Sequence, residues 1–374
     1  MGYTDMWDAL NLRMPKKTPR TEYSAPFHWP LVQRVTGIEV REDSPGEVKA
    51  DAAMAFEKAW DFGFTWSTRV HAGYLNGPRT RMGHAAYRQG GMDYDNRIVC
   101  PFTDVDQVLS FDPFEAYGVR DKAEMVADFN RHYEENCACH PDQVNMTGTY
   151  ITLMSGLIEI FGWNMLLSGL GESTDGFGRV ANRYAEWMQP YFDALAECES
   201  PVVMVHDDIV WTSGPFVRPE WYRKYIFPNY EKMFDPLHRA GKIILYTSDG
   251  TYDRFIDDIA HCGINGFVME PTTDMAAVAE KFGKTHAFVG NADCRILTFG
   301  SREAIRKEVE RCFDIGRDCP GFVMAVGNHI PPNVPVENAL YYNDCYEALA
   351  AKRQASAENE KHPERGAFCV CRTV

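Results

Sequence analysis

Apolar, β-branched runs punctuate the second half of the chain, and each stops on a cluster of polar residues. Pro201-Val-Val-Met-Val runs into His206-Asp207-Asp208, and Lys242-Ile-Ile-Leu-Tyr into Thr247-Ser248-Asp249-Gly250. Gly266-Phe-Val-Met stops on Glu270, Ala287-Phe-Val on Gly290-Asn291-Ala292-Asp293, and Gly321-Phe-Val-Met-Ala-Val on Gly327-Asn328-His329. A parallel strand covered on both faces reads as such a continuous run. Three earlier segments fit the pattern: Tyr23 to Phe27 before His28, Phe62 to Trp66 before Ser67-Thr68-Arg69, and Val144 to Met146 before Thr147-Gly148-Thr149-Tyr150. Together they make eight, the number that closes a (β/α)8 TIM barrel, an α/β fold whose chemistry gathers at the carboxyl ends of its strands.

The segments between the runs read as helices. Ala123 to Cys137 and Arg179 to Cys198 carry apolar residues at helical spacing. Pro219-Glu220 opens a helix with a tolerated proline and a dipole-matched carboxylate. Ser301 reads as a cap, with Glu303 and Lys307 paired one turn apart. The stretch from Phe62 to Gln143 is too long for one crossover helix, and its Gly- and Asp-rich part, Gly90 to Arg97, predicts a hairpin or lid inserted over the mouth after the second strand. Residues 1–354 read as one barrel domain, and 355–374 as a polar, aperiodic, disordered tail.

Charge narrows the partners. A formal net charge of −15 argues against nucleic acid, which needs a basic face. No apolar run is long enough for a membrane span, the first residues lack the features of a signal peptide, and the 11 cysteines are scattered. The expectation is a cytoplasmic protein with reduced thiols. Cys137-Ala-Cys139 and Cys369-Val-Cys371 are spaced too tightly for an ordinary structural zinc site and read as chance.

Candidate chemistry collects at the strand ends. Of the adjacent Asp207 and Asp208, at most one faces the axis while the other can hold a neighbour. Such a group serves as acid, base or counter-charge to a cationic substrate or metal, and an N-cap or loop ion pair gives the same pattern. Asp249 on the next strand end would share raised pKa values with it, although Asp-Gly also suits a turn. His329, held by Pro331-Pro332, is the best single histidine for acid–base or ligand duty. His206, Glu270 and His329 form a candidate metal set. His28, Arg69, Arg81, His84, Tyr150, Trp211, Asn291, Asp293 and Asn328 are candidate substrate contacts. Arg69, Arg79, Arg81 and His84 would meet substrate carboxylates or form a solvated basic loop. Aromatics near the mouth, Trp66 and Tyr150 among them, serve packing or stack on a ligand.

From Gly148 to Asn338 the chain resembles the uroporphyrinogen decarboxylase superfamily. The resemblance rests on Gly162-Trp-Asn-Met-Leu-Leu, Asp207-Asp208, Pro219 to Pro228, Ser248-Asp249-Gly250, Gly290-Asn-Ala-Asp293 and Ile330 to Asn338. It implies a (β/α)8 barrel, a homodimer, and either cofactor-free decarboxylation or corrinoid-linked methyl transfer. The decarboxylases' Arg-Gln-Ala-Gly-Arg is missing after the first run, and their histidine near the last strand falls at Asn328. The His-x-Cys zinc motif of the thiol-activating methyltransferases is missing too, since Thr247-Ser248-Asp249 stands there. What the resemblance leaves is a methyltransferase that passes a methyl group from a small donor to a corrinoid on a partner protein, with zinc held by oxygen or imidazole ligands. The alternatives are decarboxylation of a polycarboxylate without cofactor, and a ligand-binding barrel without catalysis.

Overall fold

Alternate residues of the parallel strands belong to different packing layers, and that alternation places the site. The computed structural model describes residues 2–82, 85–88, 91–94 and 98–361, with side chains over 2–82 and 98–350. In chain order, β1 (Ala85–Arg88) and β2 (Gly91–Tyr94) form an antiparallel hairpin. A parallel sheet then runs β3 (Thr147–Thr149), β4 (Val202–His206), β5 (Ile243–Ser248), β6 (Gly266–Met269), β7 (Ala287–Val289) and β8 (Phe322–Val323), each beside the next. Single bridges close the ring. Arg20 pairs in parallel with Met324 on one side and Phe62 on the other, and the Gly63 carbonyl accepts from the Val144 amide at 2.8 Å. The fold is a (β/α)8 barrel, with 19–22 and 62–64 in the first two strand places.

The side-chain period of two divides each strand. Met146, Met204, Leu245, Val268, Val289, Val323 and Ala325 pack with Phe64 and Trp66 inside the barrel. Val203, Val205, Ile244, Tyr246, Phe267, Met269, Phe288 and Phe322 pack outward against the helices. The helix Gly2–Leu10 presses Met6, Ala9 and Leu10 into the inner cluster.

Two boundaries differ from the pattern reading. Tyr23 to Phe27 is not the first strand: Ala25–Phe27 is a 3-10 turn with Pro26 at its start. Proline has no ladder donor, and the true strand place is hidden because Arg20 and Glu22 interrupt the apolar signal. The last helix, Val336–Lys361, runs past residue 355, where a tail was expected, because Ala355 and Ala357 with their charged neighbours favour helix. Residues 362–374 lie outside those described. The expected hairpin is present as β1 and β2, and the cap of Ser301 on the Ala304 amide (3.2 Å) and the Glu303–Lys307 pair (2.9 Å) are formed.

Arg20 and Glu22 make the closure polar and fully buried. Glu22 accepts from Arg20 (2.9 Å), the Tyr342 hydroxyl (2.7 Å) and the Val326 amide (2.9 Å), while the guanidinium lies 4.4 Å from Trp60 and 4.5 Å from Tyr346. Glu22→Ala strands a buried cation, so urea unfolding is expected to show a loss of about 3–5 kcal/mol. A loss below about 1 kcal/mol would mean that the pair does not hold the closure.

Candidate functional site at the barrel mouth

The helix Met154–Glu172 begins without a side-chain cap of its own, because its N-cap residue is Leu153. Asp207, just past β4, supplies the cap from outside. Its carboxylate accepts the amides of Leu153 (3.1 Å), Met154 (3.1 Å) and Ser155 (2.6 Å), and the hydroxyl of Tyr230. Burial pushes its pKa up, and Tyr230 and the three amides push back. Four donors aimed at one carboxyl favour its ionised form. The catalytic role expected of Asp207 therefore gives way to a structural one.

With Asp207 turned outward, the inward period carries Met204, His206 and Asp208 toward the mouth. Ser155 links them: its hydroxyl accepts the Asp208 amide at 2.7 Å and lies 3.3 Å from His206 Nδ1. His206 Nε2 stands 3.4 Å from Asp208 Oδ1, and the imidazole stacks on Tyr150 at 3.9 Å and 7°. Asp208 Oδ1 also accepts the Asp249 amide at 2.9 Å, joining the ends of β4 and β5. Glu270 is tied down by the Gly250 amide (2.7 Å) and the Asn328 side chain.

Tyr150, His206, Asp249 and Asn328 border a cavity of about 60 Å³. That is room for about four water-sized groups. Tyr23, Trp66, Tyr150, His206, Thr247, Asp249, Asn328 and His329 line it over an apolar floor of Met204, Val268, Val289 and Ala325. No lysine or arginine is among the described residues that line it. Asp249 is exposed at the mouth, and loss of water around its carboxyl, then the neighbouring Asp208 and Glu270, push it up to about 7, against the pull of His206. Burial raises Asp208 to about 6, with Glu270 adding to it and the Asp249 amide opposing. Burial pushes the imidazoles of His206 and His329 down, toward their neutral forms.

His206, Asp208 and Asp249 offer one nitrogen and two carboxylate oxygens within 4.8 Å of one another. That donor set fits a divalent ion such as zinc with a position left open. It replaces the set expected from the sequence, keeping His206: Glu270 is engaged by Gly250 and Asn328, and His329 stands edge-on to Tyr23 at 4.8 Å.

Several expected substrate contacts lie elsewhere. His28 is buried and caps the helix Trp29–Thr36 through the Leu31 amide (3.2 Å), with its other nitrogen on the Val334 carbonyl (2.8 Å). Arg69 is forked onto Asp128 (3.0 and 2.8 Å), and Arg79 faces Glu159 at 3.7 Å. Arg81 bridges Val99 through its backbone at the base of the hairpin. Trp211 packs with Trp163 and Phe216. Asn291 clamps the carbonyls of Glu270 (3.1 Å) and Thr273 (3.0 Å), and Asp293 caps the helix Cys294–Phe299 and pairs with Arg295. His84 lies outside the described residues. Tyr150 and Asn328 do reach the cavity. Ser155 and Tyr230 do not stand out in the sequence, and Tyr23 and Thr247 stand there only as members of a run and of a strand-end cluster. The inward period through Leu245 and Asp249 would have found Thr247, but a helical serine or tyrosine carries no such signal.

Set beside known proteins, residues 94–348 match the model of the uroporphyrinogen decarboxylase (URO-D) family. The chain belongs to that family. Similar relatives of this URO-D member include the uroporphyrinogen decarboxylase of Pelobacter propionicus, 22% identical over 62% of this chain and 67% of the relative. The decarboxylases of Geotalea uraniireducens (26% identical; 56% and 60%) and Thermus thermophilus (27%; 46% and 49%) are also similar. The matches thus take in from about half to about two thirds of these relatives' length. Among solved structures, a methyltransferase from Methanosarcina mazei superposes with a TM-score of 0.60 at 16% identity, over 93% of this chain and 98% of that one. At that identity the likeness establishes the shared barrel. No helix among the described residues is long and apolar enough to cross a membrane.

Two outcomes follow from this geometry. Removing the Asp207 carboxylate in Asp207→Ala leaves buried amides unmet and is expected to cost on the order of 3 kcal/mol in urea unfolding, with Tyr230→Phe costing about 1 kcal/mol; equal stability of Asp207→Ala and the parent would refute the cap. The raised pKa of Asp249 means that its contribution to stability is present below the unfolded carboxyl pKa of about 4 and is lost as pH rises through about 7. In the presence of a chelator, Asp249→Asn should therefore melt above the parent at pH 8, by about 2 °C, with the gap closing toward pH 4. A gap that is constant with pH would contradict the assignment.

Proposed function

We propose that this URO-D family member is a corrinoid-linked methyltransferase, moving a methyl group from a small methylated donor to a reduced corrinoid carried by a partner protein. The observation behind this reading is the charge of the mouth. Asp249 lines a cavity that has no lysine or arginine among its described lining residues, and Asp208 and Glu270 are tied to the same strand end through the Asp249 and Gly250 amides. A polycarboxylate would meet like charge there, and Arg69 and Arg79 are already spent on Asp128 and Glu159. That disfavours decarboxylation of the kind the curated relatives are named for. A small methylated group fits the cavity, and the aromatic side chains can exclude water around it.

Within this reading the chain's own groups assist the atom that loses its methyl. Asp249, with its pKa near 7, can hold a proton for a departing oxygen, or as a carboxylate offset the charge on a nitrogen. Ser155 and Tyr150 fix the plane of His206 beside it. Zinc on His206, Asp208 and Asp249 would act as a Lewis acid toward a departing oxygen. We propose a homodimer in the cytoplasm as its working form.

The test mixes the protein, with and without zinc, with cob(I)alamin and a panel of small O-methyl and N-methyl compounds, and follows methylcobalamin by its visible spectrum. Methylation from at least one donor, reduced at least about tenfold in Asp249→Ala, is expected. No transfer from any donor, or carbon dioxide released from a polycarboxylate instead, would overturn the reading.

A further inference from the structure

We propose that the mouth cavity is a receptor for a small methylated ammonium cation, and that such a cation, rather than a neutral ether, is the methyl donor. The donor role rests on the methyl-transfer reading; the binding site does not. Three features of the cavity converge on this ligand class. Its walls are aromatic: Tyr23, Trp66 and Tyr150 line it, and their ring faces attract a cation that has shed its water. Its floor is apolar, suiting methyl groups. Its one lining carboxylate among the described residues, Asp249, is backed by Asp208, which receives the Asp249 amide at 2.9 Å, and by Glu270, which receives the Gly250 amide at 2.7 Å. No lining cation opposes them among the described residues.

Size agrees. Room for about four water-sized groups matches a trimethylammonium head. The carboxylates hold the charge at long range, and the rings select methyl-covered cations over metal-like ones, which stay hydrated. A quaternary donor also simplifies the chemistry. The methyl carbon bonds to cobalt(I) through the metal's electron pair, the C–N bond breaks, and its pair stays on nitrogen. The amine departs neutral, the positive charge passes to the cobalt, and cobalt(I) becomes cobalt(III). No proton is required at the leaving atom, so Asp249 serves as counter-charge. A divalent ion on His206, Asp208 and Asp249 would draw on the same carboxylates and compete with the donor.

The deciding comparison is choline against 3,3-dimethylbutan-1-ol, the same shape without the charge. Calorimetry on the full-length protein with chelator present is expected to show choline bound at least about tenfold more tightly. Asp249→Asn and Trp66→Leu should each weaken choline by about tenfold, and Asp249→Asn should leave the alcohol unchanged. Added zinc should weaken choline. Equal binding of the two compounds by the unaltered protein, or binding of neither, overturns the proposal whatever the variants do. Methyl transfer from O-methyl donors but not from choline or tetramethylammonium overturns the donor assignment while the methyl-transfer reading stands. Selective choline binding without methyl transfer from any donor supports the site and overturns that reading.

Discussion

The carboxylate of Asp207 on the amides of Leu153, Met154 and Ser155 is the contact from which the mouth is organised. A helix that begins at an apolar residue has bare amides at its positive end. Here that end is buried against the barrel, so the donors need an acceptor from elsewhere in the chain. Asp207 provides it, and Tyr230 closes the fourth direction. The consequence is geometric. With Asp207 committed outward, the period of the strand sends His206 and Asp208 inward. The same helix turn presents Ser155 to both of them.

Ser155 thereby couples structure to chemistry. Its oxygen accepts the Asp208 amide and lies within reach of His206 Nδ1; when the serine donates there, the imidazole hydrogen sits on Nε2, facing Asp208. For Nε2 to turn a lone pair toward a metal, the proton has to move to Nδ1 and the serine has to accept twice. Both arrangements are open to a hydroxyl.

The barrel was legible in the sequence because both faces of its strands are apolar, and continuous runs survive without any alignment. The polar strand ends were legible for the same reason, as the places where those runs stop. Two things were hidden. The first strand carries the Arg20–Glu22 pair, and a buried ion pair looks like surface in a one-dimensional pattern. The roles of individual polar residues were hidden too. His28, Arg69, Asn291 and Asp207 lie near strand ends, yet each is consumed by a partner far along the chain. Only three-dimensional pairing separates a carboxylate that caps a helix from its neighbour that faces a ligand.

Charge is the property that remains once those pairings are made. Asp249, with Asp208 and Glu270 beside it, borders a small space lined by imidazoles that burial keeps toward neutral, and no lining lysine or arginine is present among the described residues. An excess of this kind can be relieved by a proton, a divalent ion or an organic cation. The raised carboxyls of Asp249 and Asp208 are consistent with the first. The donor set of His206, Asp208 and Asp249 suits the second. Neither explains why Tyr23, Trp66 and Tyr150 surround the same space, since a proton needs no walls and a hydrated metal gains little from aromatic ones. The third explains acid and rings together, which is why the carboxylates and the aromatic lining are best understood as one site.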